Sequence, residues 1–406
     1  MIYIVDRFVE GYLHVLANVN TIKILNSIYP DINKKFIAEN EHSDLVQGYF
    51  NESNGISNIV FEPFKNKQFS NLNKIKQVFR VVKRLFQDIC FFYTLFISIN
   101  KDKTSLLFVT HIYPLSLVFI KILKLFFPKV KMIVTIHGEV EYLFYGKTKY
   151  EKIIGRLYDF VFKIKSSNFY YLFLTKVSRS ILIKNRKLKE DEIMAIILPT
   201  LPDNDVHVNT INVTFLPVKI GHIGSAGKRK NTELLYNLGN CFHNEIQQGK
   251  VIFSVIGPIE DTIKPYLNNN VIDFVNGQSG IHLDRRIFNF EARAIDYAIF
   301  FYGKNDFVLR SSAAFFDAIY FEKPLIVLKN DFFEEIFEEA GNIGYLCTDY
   351  KEMNLIIQKI ISDNSATKEL YFNQLENIKK YKETLNLSFI ATDLAAQISS
   401  LKLLIK

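Results

Sequence analysis

The chain has 406 residues, which at about 150 residues per domain predicts two or three domains. Hydrophobic residues make up 49% and charged residues 23%, a globular composition that argues against general disorder. Formal net charge is +8, and three scattered cysteines (Cys90, Cys241 and Cys347) support neither a disulfide framework nor a zinc site, which fits a reduced, cytoplasmic location.

The start, MIYIVDRFVEG, carries Asp6 and no basic segment, so it is a poor signal peptide. Strand-like runs follow at Ile2–Val5, Lys35–Ala38, Ile59–Phe61, Leu106–Thr110, Lys131–Ile136, Tyr170–Leu174 and Ile193–Leu198. Helical stretches lie near Gly11–Leu25, Leu72–Ile99, Leu115–Phe127, Tyr150–Lys165 and Lys176–Lys184. Runs rich in Val, Ile and Phe that alternate with helices predict a parallel sheet covered on both faces.

Within this first half, the first strand ends in Asp6-Arg7, and Glu10-Gly11 opens a helix. Further on, Lys76, Arg80, Lys83 and Arg84 share helical spacing, with Phe79, Val82, Leu85 and Phe86 between them. Lys121, Lys124, Lys129 and Lys131 are likewise set among Leu and Phe. Basic residues beside bulky apolar ones suit a helix in a lipid headgroup layer; they also suit an ordinary amphipathic helix with a solvated lysine face. The 11-residue apolar run Ile89–Ile99 is shorter than the roughly 18 residues that span a bilayer.

The charge balance sharpens this contrast. It is +12 over residues 1–200 and −4 over residues 201–406, with 25 basic against 6 acidic residues between Lys65 and Lys189. The first half is expected to meet something anionic: nucleic acid, a phospholipid surface or a phosphorylated substrate. No nucleic-acid-binding module is recognisable, so nucleic acid is not expected as a partner.

Two strand ends in this half carry histidine. His111 ends one strand and His137-Gly138-Glu139 ends the next. A His at the carboxyl end of a parallel strand, followed by Gly, points toward a cleft and not into a helix-packed core, and His111 is expected to line the same cleft. Glu139 and Glu141 stand in a stretch nearly free of acids. A carboxylate there could take a proton from an acceptor hydroxyl, or simply pair with a lysine.

Leu198-Pro199-Thr200-Leu201-Pro202-Asp203-Asn204-Asp205 is turn-rich and reads as a linker. The alternation then restarts with strands at Val218–Ile223, Val251–Ile256, Val271–Phe274, Tyr297–Tyr302 and Leu325–Leu328. The expected organisation is α/β, with two Rossmann-like parallel-sheet domains, 1–202 and 203–386, facing across a cleft. A final helix at 387–406, with Ile390, Leu394, Ile398 and Leu401 on one side, is expected to pack back toward the first domain.

Three segments of the second half suggest a ligand. The loop Gly224-Ser225-Ala226-Gly227 leads into Lys228-Arg229-Lys230 and then a helix. Small residues, a helix N-terminus and cationic side chains suit a diphosphate, although a tight turn with solvated lysines has the same pattern. Arg310-Ser311-Ser312 precedes an apolar helix bearing Asp317, which suits ribose or phosphate contacts or a solvent-facing acid. Asn276-Gly277-Gln278 follows a strand, where it could read a base or form a plain turn.

Taken together, the second half resembles the nucleotide-binding domain of GT-B glycosyltransferases, especially the large retaining group called family four. The glycine loop, the run Asp317-Ala318-Ile319 with Lys323-Pro324-Leu325-Ile326, and Ala294-Ile295-Asp296-Tyr297-Ala298 carry the resemblance. The resemblance covers most of the second domain and, more loosely, the first. It supports Gly224, Ser225, Gly227, Arg229 and Lys230 as the expected donor-diphosphate residues; Ser311 and Ser312 are expected beside them, and Asn276, Gly277, Gln278 and Asp317 at base or ribose. In the first domain it implies His137 near the donor sugar and the loop with Arg7, Glu10 and Gly11 facing an acceptor; Glu139 is a candidate catalytic base, and His111 is expected at the same cleft. The family's paired glutamates are here Leu309 and Asp317, and Ser225 stands where the family often has Arg.

The expected function is transfer of a sugar from a nucleotide-diphosphate donor to a glycan or lipid-linked phosphate acceptor in bacterial-type surface polysaccharide assembly. No Asp-x-Asp metal motif occurs outside the linker, so neither a metal nor a cofactor is expected, and the protein is expected in the cytoplasm or peripherally on the inner face of the membrane. A binding protein that has lost activity, or a nucleotide-sugar epimerase of the same fold, are the alternatives.

Overall fold

The computed structural model describes residues 1–11, 14–51, 58–65, 74–102, 104–197, 216–362, 365–401 and 403, with side chains from 81 onward in the helix that begins at 74. The chain divides into two compact units, Met1–Leu201 with Asn386–Lys406, and Pro202–Leu385. The linker expected at Leu198–Asp205 lies outside the described residues.

In the N-terminal unit seven strands form one sheet: β1 (Ile2–Asp6), β2 (Lys34–Glu39), β3 (Ile59–Phe64), β4 (Leu106–His111), β5 (Lys131–Ile136), β6 (Phe169–Phe173) and β7 (Ile193–Ala195). Their order is β3-β2-β1-β4-β5-β6-β7, and every pairing is parallel. The C-terminal unit has six: β8 (Val218–Ile223), β9 (Val251–Ile256), β10 (Val271–Asp273), β11 (Tyr297–Phe300), β12 (Leu325–Leu328) and β13 (Gly344–Cys347). Their order is β10-β9-β8-β11-β12-β13, again parallel throughout. These are the two expected Rossmann-like sheets. Parallel strands need crossover connections, so helices cover both faces, and central strands become apolar along their whole length. β4 shows this, with all six residues buried.

The strand order reverses between β1 and β4 in the first sheet and between β8 and β11 in the second. The loops leaving these strands diverge to opposite faces and leave a crevice at the carboxyl ends, the usual place for a ligand. Asp6 and His111 stand in register at the first reversal; the loop after Ile223 leaves the second.

The final helix, Leu387–Ser400, belongs to the N-terminal unit. Ile390, Ala391, Leu394 and Ile398 join Val15, Val19, Ile22 and Met194 in its core. Gln397 also closes an open sheet edge: its amide accepts from the Ala195 N–H at 3.0 Å and donates to the Ala195 carbonyl at 2.8 Å. Edge groups left unpaired are both unstable and adhesive. Gln397→Ala is therefore expected to cost about 1–2 kcal/mol and to raise the tendency to associate, as read by urea unfolding and light scattering.

Two lysines expected on a solvated or headgroup-facing surface are buried instead. The Lys124 ammonium donates to the carbonyls of Phe127, Pro128 and Ser167 at 2.7–3.2 Å, tying the turn after its helix to the segment before β6. Lys121 lies over the Phe169 ring, 3.7 Å from its centroid, and near Tyr171. Burial lowers Lys121 to about 7 and Lys124 to about 8. Carbonyls and ring faces stabilise the cationic form, so these residues hold the fold and are not available to an anionic partner.

Candidate functional site

In the C-terminal unit a cavity of about 350 Å³ opens at the β8/β11 reversal. Gly224, Ser225 and Lys230 form one wall, and Ser311, Ser312, Ala313, Ala314 and Asp317 another. These come from the loop after β8 and from the start of the helix Ala313–Tyr320.

The loop is tightly constrained. Gly224 has φ +88°, and a Cβ on Gly257 in the neighbouring loop would overlap the Gly224 main chain. Glycine at both positions lets the two loops touch. Beneath them the buried His222 ring faces the Ser225 carbonyl at 3.3 Å and the Ile299 carbonyl at 3.2 Å. Burial, then the charge of Lys230, lowers His222 to about 3. Its imidazole is therefore neutral, with a single N–H to share between two carbonyls.

Most of the loop's own amides are already used. Gly224 N–H donates to the Ile256 carbonyl, Ala226 to Pro258, Gly227 to the Thr232 hydroxyl and Lys230 to the Gly227 carbonyl. The donors left for an anion lie elsewhere. Ser312 caps the helix Ala313–Tyr320, its hydroxyl accepting from Phe315 N–H at 3.2 Å. The first N–H groups of that helix, at Ala313 and Ala314, have no intrahelical partner and line the cavity. The Ser311 hydroxyl there is buried and unpaired.

Facing them is Lys230, whose ammonium lies beside Gly224. Burial lowers its pKa to about 8, partly offset by Glu260 and Asp317. The arrangement is one partly desolvated cation, one helix N-terminus and one free hydroxyl around a polar space, a set suited to a diphosphate.

Asp317 sits at the side of this space, 3.7 Å from Arg285. Arg285, His282, Leu283, Phe288 and Phe307 complete the lining. Phe307 holds φ +61°, unusual for a bulky residue, and stacks on Tyr302 with centroids 4.0 Å apart. Tyr302 in turn shares a 2.8 Å hydrogen bond with the Ser312 hydroxyl. Sequence reading passed over Arg285 and Phe307, because no motif marks them and only the tertiary fold brings them to the helix that starts at Ala313.

Other expected residues lie outside this lining. Gly227 packs against the Glu260 carboxylate, which a Cβ would overlap. Arg229 is exposed on a short turn. Asn276 and Gly277 both have positive φ in a self-contained turn, in which Gly277 N–H bonds Asp273 at 2.8 Å and Gln278 N–H bonds the Val275 carbonyl at 3.0 Å. Leu309, where the resemblance puts an acid, is buried in the core.

In the N-terminal unit the β1/β4 reversal is organised by Asp6. One carboxylate oxygen accepts from Phe8 N–H and Val9 N–H, both at 3.0 Å; the other accepts from Asn18 at 2.8 Å and Thr110 at 3.2 Å. Asn18 also meets His42, whose other ring nitrogen bonds the Gly11 carbonyl. The loop through Glu10 and Gly11 is thus anchored at both ends. Arg7 points away from it: its guanidinium is buried 3.0 Å from Asp88, over the rings of Phe64 and Phe91. Arg84 is drawn in from the long helix Lys74–Lys101 to bind the Arg7 and Phe8 carbonyls at 2.8 Å, with Glu10 at 3.9 Å.

Above Asp6 three imidazoles gather. His111 lies 3.9 Å from His137 and 4.9 Å from His14, centroid to centroid, and Phe8 stacks on His111 at 4.3 Å. His137 Nε2 is 2.7 Å from the Thr110 carbonyl. A carbonyl can only accept, so Nε2 carries a proton, which in the neutral ring leaves the lone pair on Nδ1. Desolvation, then the neighbouring His137, lowers His111 and His14. Glu139 is partly buried on the turn that follows His137. His14 was not foreseen, because its partners lie about a hundred residues further along the chain.

Two parallel Rossmann-like units with these strand orders make the GT-B fold. Among solved structures the chain is similar to sucrose-phosphate synthase from Thermosynechococcus elongatus, with a TM-score of 0.63 and 11% identity over 99% of each chain. It is similar to the lipopolysaccharide outer core galactosyltransferase WaaB, with a TM-score of 0.60 and 11% identity over 98% of this chain and 99% of that one. S. aureus TarM, solved with UDP and α-GlcNAc-glycerol, has a TM-score of 0.52 and 15% identity over 73% of this chain; the match spans only 55% of TarM. No family model and no curated protein matches the sequence.

Proposed function

We propose that the protein is a glycosyltransferase that moves a sugar from a nucleoside-diphosphate donor to a hydroxyl of a glycan or lipid-linked acceptor. The observation that carries this reading is the cavity that joins Lys230, the Ala313–Tyr320 helix N-terminus and the Ser311 hydroxyl. In the transfer the bond from the anomeric carbon to the diphosphate oxygen breaks and one to the acceptor oxygen forms. The diphosphate gains negative charge as it leaves. Lys230 and the Ala313 and Ala314 amides act on that charge, and their contribution is greatest where it develops. Asp317, beside Arg285, is placed to bind a ribose or sugar hydroxyl. The acceptor falls to the N-terminal unit, where the partly buried Glu139 carboxylate is able to receive the hydroxyl proton. Incubation of the protein with a panel of labelled nucleotide sugars and a lipid-phosphate acceptor tests this; release of no sugar from any donor overturns it.

The buried Leu309 favours a second reading. Without an acid at that position, a non-catalytic nucleotide-binding protein would show the same cavity and the same ligand affinity but no turnover.

The acceptor would be met at an anionic lipid surface. On the helix Lys74–Lys101, Val82, Phe86, Tyr93 and Ile97 form one exposed apolar stripe, and Leu125 and Phe126 are exposed after the helix Pro114–Lys124. Tyr93 and Phe96 both pack on Phe127, which joins the two groups. Lys83, Lys101 and Lys129 are exposed beside them. No helix among the described residues is long and apolar enough to cross a membrane. Phe86→Asp with Phe126→Asp is expected to lower co-sedimentation with anionic vesicles at least tenfold, since each change removes apolar burial and adds a repelled charge. Unchanged sedimentation would rule this face out.

A further inference from the structure

We propose that His14, His111 and His137 form a binding site for a single divalent transition-metal ion, with zinc as the best chemical fit. The three rings come from the β1–α connection, the end of β4 and the end of β5, and one ring nitrogen from each lies within 4.8 Å of the others. Three of the chain's eight histidines therefore meet at one strand-order reversal.

One pair already has the spacing an ion needs, and the third nitrogen closes in from up to 4.8 Å. His14 Nδ1 and His111 Nδ1 are 3.2 Å apart. Two nitrogens that ligate one zinc at about 2.0–2.1 Å lie roughly 3.3 Å apart at a tetrahedral angle.

Three further observations point to a ligand. The Thr110 carbonyl takes the Nε2 proton of His137, which is the outer contact that fixes the tautomer of a metal-binding imidazole and leaves Nδ1 to coordinate. A partly open space of about 20 Å³ lies against His14 and His137, with Asn18, Thr21, Thr110 and Thr135 on one part of its wall and Ala17, Leu172, Leu174 and Ile196 on the rest; its volume holds one water or one ion. The Asp6 carboxylate is near enough to act electrostatically on His14 and supplies a compensating negative charge.

The rings lie within 12–20° of parallel, so their lone pairs run side by side. Convergence on one ion takes a turn of a ring about χ2, and His14, which is solvent-accessible, has the room to make it. A three-imidazole set leaves the fourth position of a tetrahedral ion open to water or to a hydroxyl, whose pKa the ion lowers. Zinc, with no geometric demand of its own and an affinity for imidazole, fits better than magnesium or calcium, which prefer oxygen.

The test reads binding, so it stands or falls separately from sugar transfer. Untagged full-length protein is stripped with a chelator and titrated with Co²⁺, followed by visible absorption, and then with Zn²⁺ by calorimetry. The expected result is one equivalent per chain, a tetrahedral Co²⁺ spectrum that Zn²⁺ displaces, and at least a tenfold weaker affinity in His111→Ala and in His137→Ala. His14→Gln, at an accessible position, provides the same comparison if either buried variant fails to fold. Substoichiometric binding, or stoichiometric binding that survives these changes, overturns the site.

Discussion

Asp88→Ala is expected to destabilise the N-terminal unit by about 3–5 kcal/mol, the cost of leaving a buried charge without its partner. Asp88 is 1% exposed and Arg7 9% exposed. One Asp88 oxygen takes the Arg7 Nε–H at 3.0 Å and the other takes the Ser116 hydroxyl at 2.7 Å. Removing the carboxylate leaves the guanidinium between Phe64 and Phe91 without its ion-pair partner. Burial already lowers the Arg7 pKa, and Asp88 is the main contact working against that. Arg7→Met alone should cost a comparable amount, because it strands Asp88. The double change Arg7→Met with Asp88→Leu should cost less than the two single costs added together, since no charge is then left buried. Guanidinium unfolding of the four proteins measures this, with an unchanged slope as the sign that compactness is preserved. Additive costs would mean that the pair does not interact.

Lys230→Ala is expected to weaken nucleoside diphosphate binding by about 10–100-fold, the value of a charge-assisted hydrogen bond of about 1.5–3 kcal/mol. The matching nucleoside, which lacks the phosphates, should bind almost equally to both proteins. The pH dependence supplies a second reading. Lys230 has its pKa lowered to about 8 by burial. Below pH 8 it is cationic and ready for an anion; above it the group is neutral and the attraction is lost. A bound diphosphate favours the charged form, so the pKa rises in the complex. Affinity should therefore be flat below about pH 8 and fall above it until the pKa of the complex is passed, with proton uptake on binding in that window. The Lys230→Ala protein should show neither the fall nor the uptake. Equal losses for nucleoside and diphosphate would place Lys230 away from the phosphates.

The sheets were legible because parallel central strands must be apolar throughout, and runs such as Leu106–Thr110 and Val251–Ile256 have no other reading. β13 was missed: Gly-Tyr-Leu-Cys is four residues long and half-buried at a sheet edge. The helix Asn40–Asn51 was missed as well, because it carries Gly48 and a mainly polar sequence and buries only His42, Ser43, Val46 and Phe50.

Of the candidate donor residues, members of two separate segments fall together. Gly224, Ser225, Lys230, Ser311, Ser312 and Asp317 stand around one space. What the loop sequence could not reveal is that its amides are spent on neighbouring carbonyls and a hydroxyl, so the free donors belong to another helix. Lys121 and Lys124 show the same limit in a different form. A lysine at helical spacing looks solvated, yet the carbonyls of Phe127 and Pro128, just past its helix, and of Ser167 hold Lys124 inside. The signal lay in its place in the last helical turn before Pro128, where a cation completes the unsatisfied carbonyls. Arg7 carried no sign of Asp88, 81 residues away.

The most direct measurement is calorimetric titration of the wild-type protein with UDP, GDP and ADP beside their nucleosides. The account predicts that at least one diphosphate binds, that it binds at least tenfold more tightly than its nucleoside, and that adding it raises the melting temperature. If no diphosphate binds, or if diphosphate and nucleoside bind equally, the cavity at Lys230 is not a donor phosphate site.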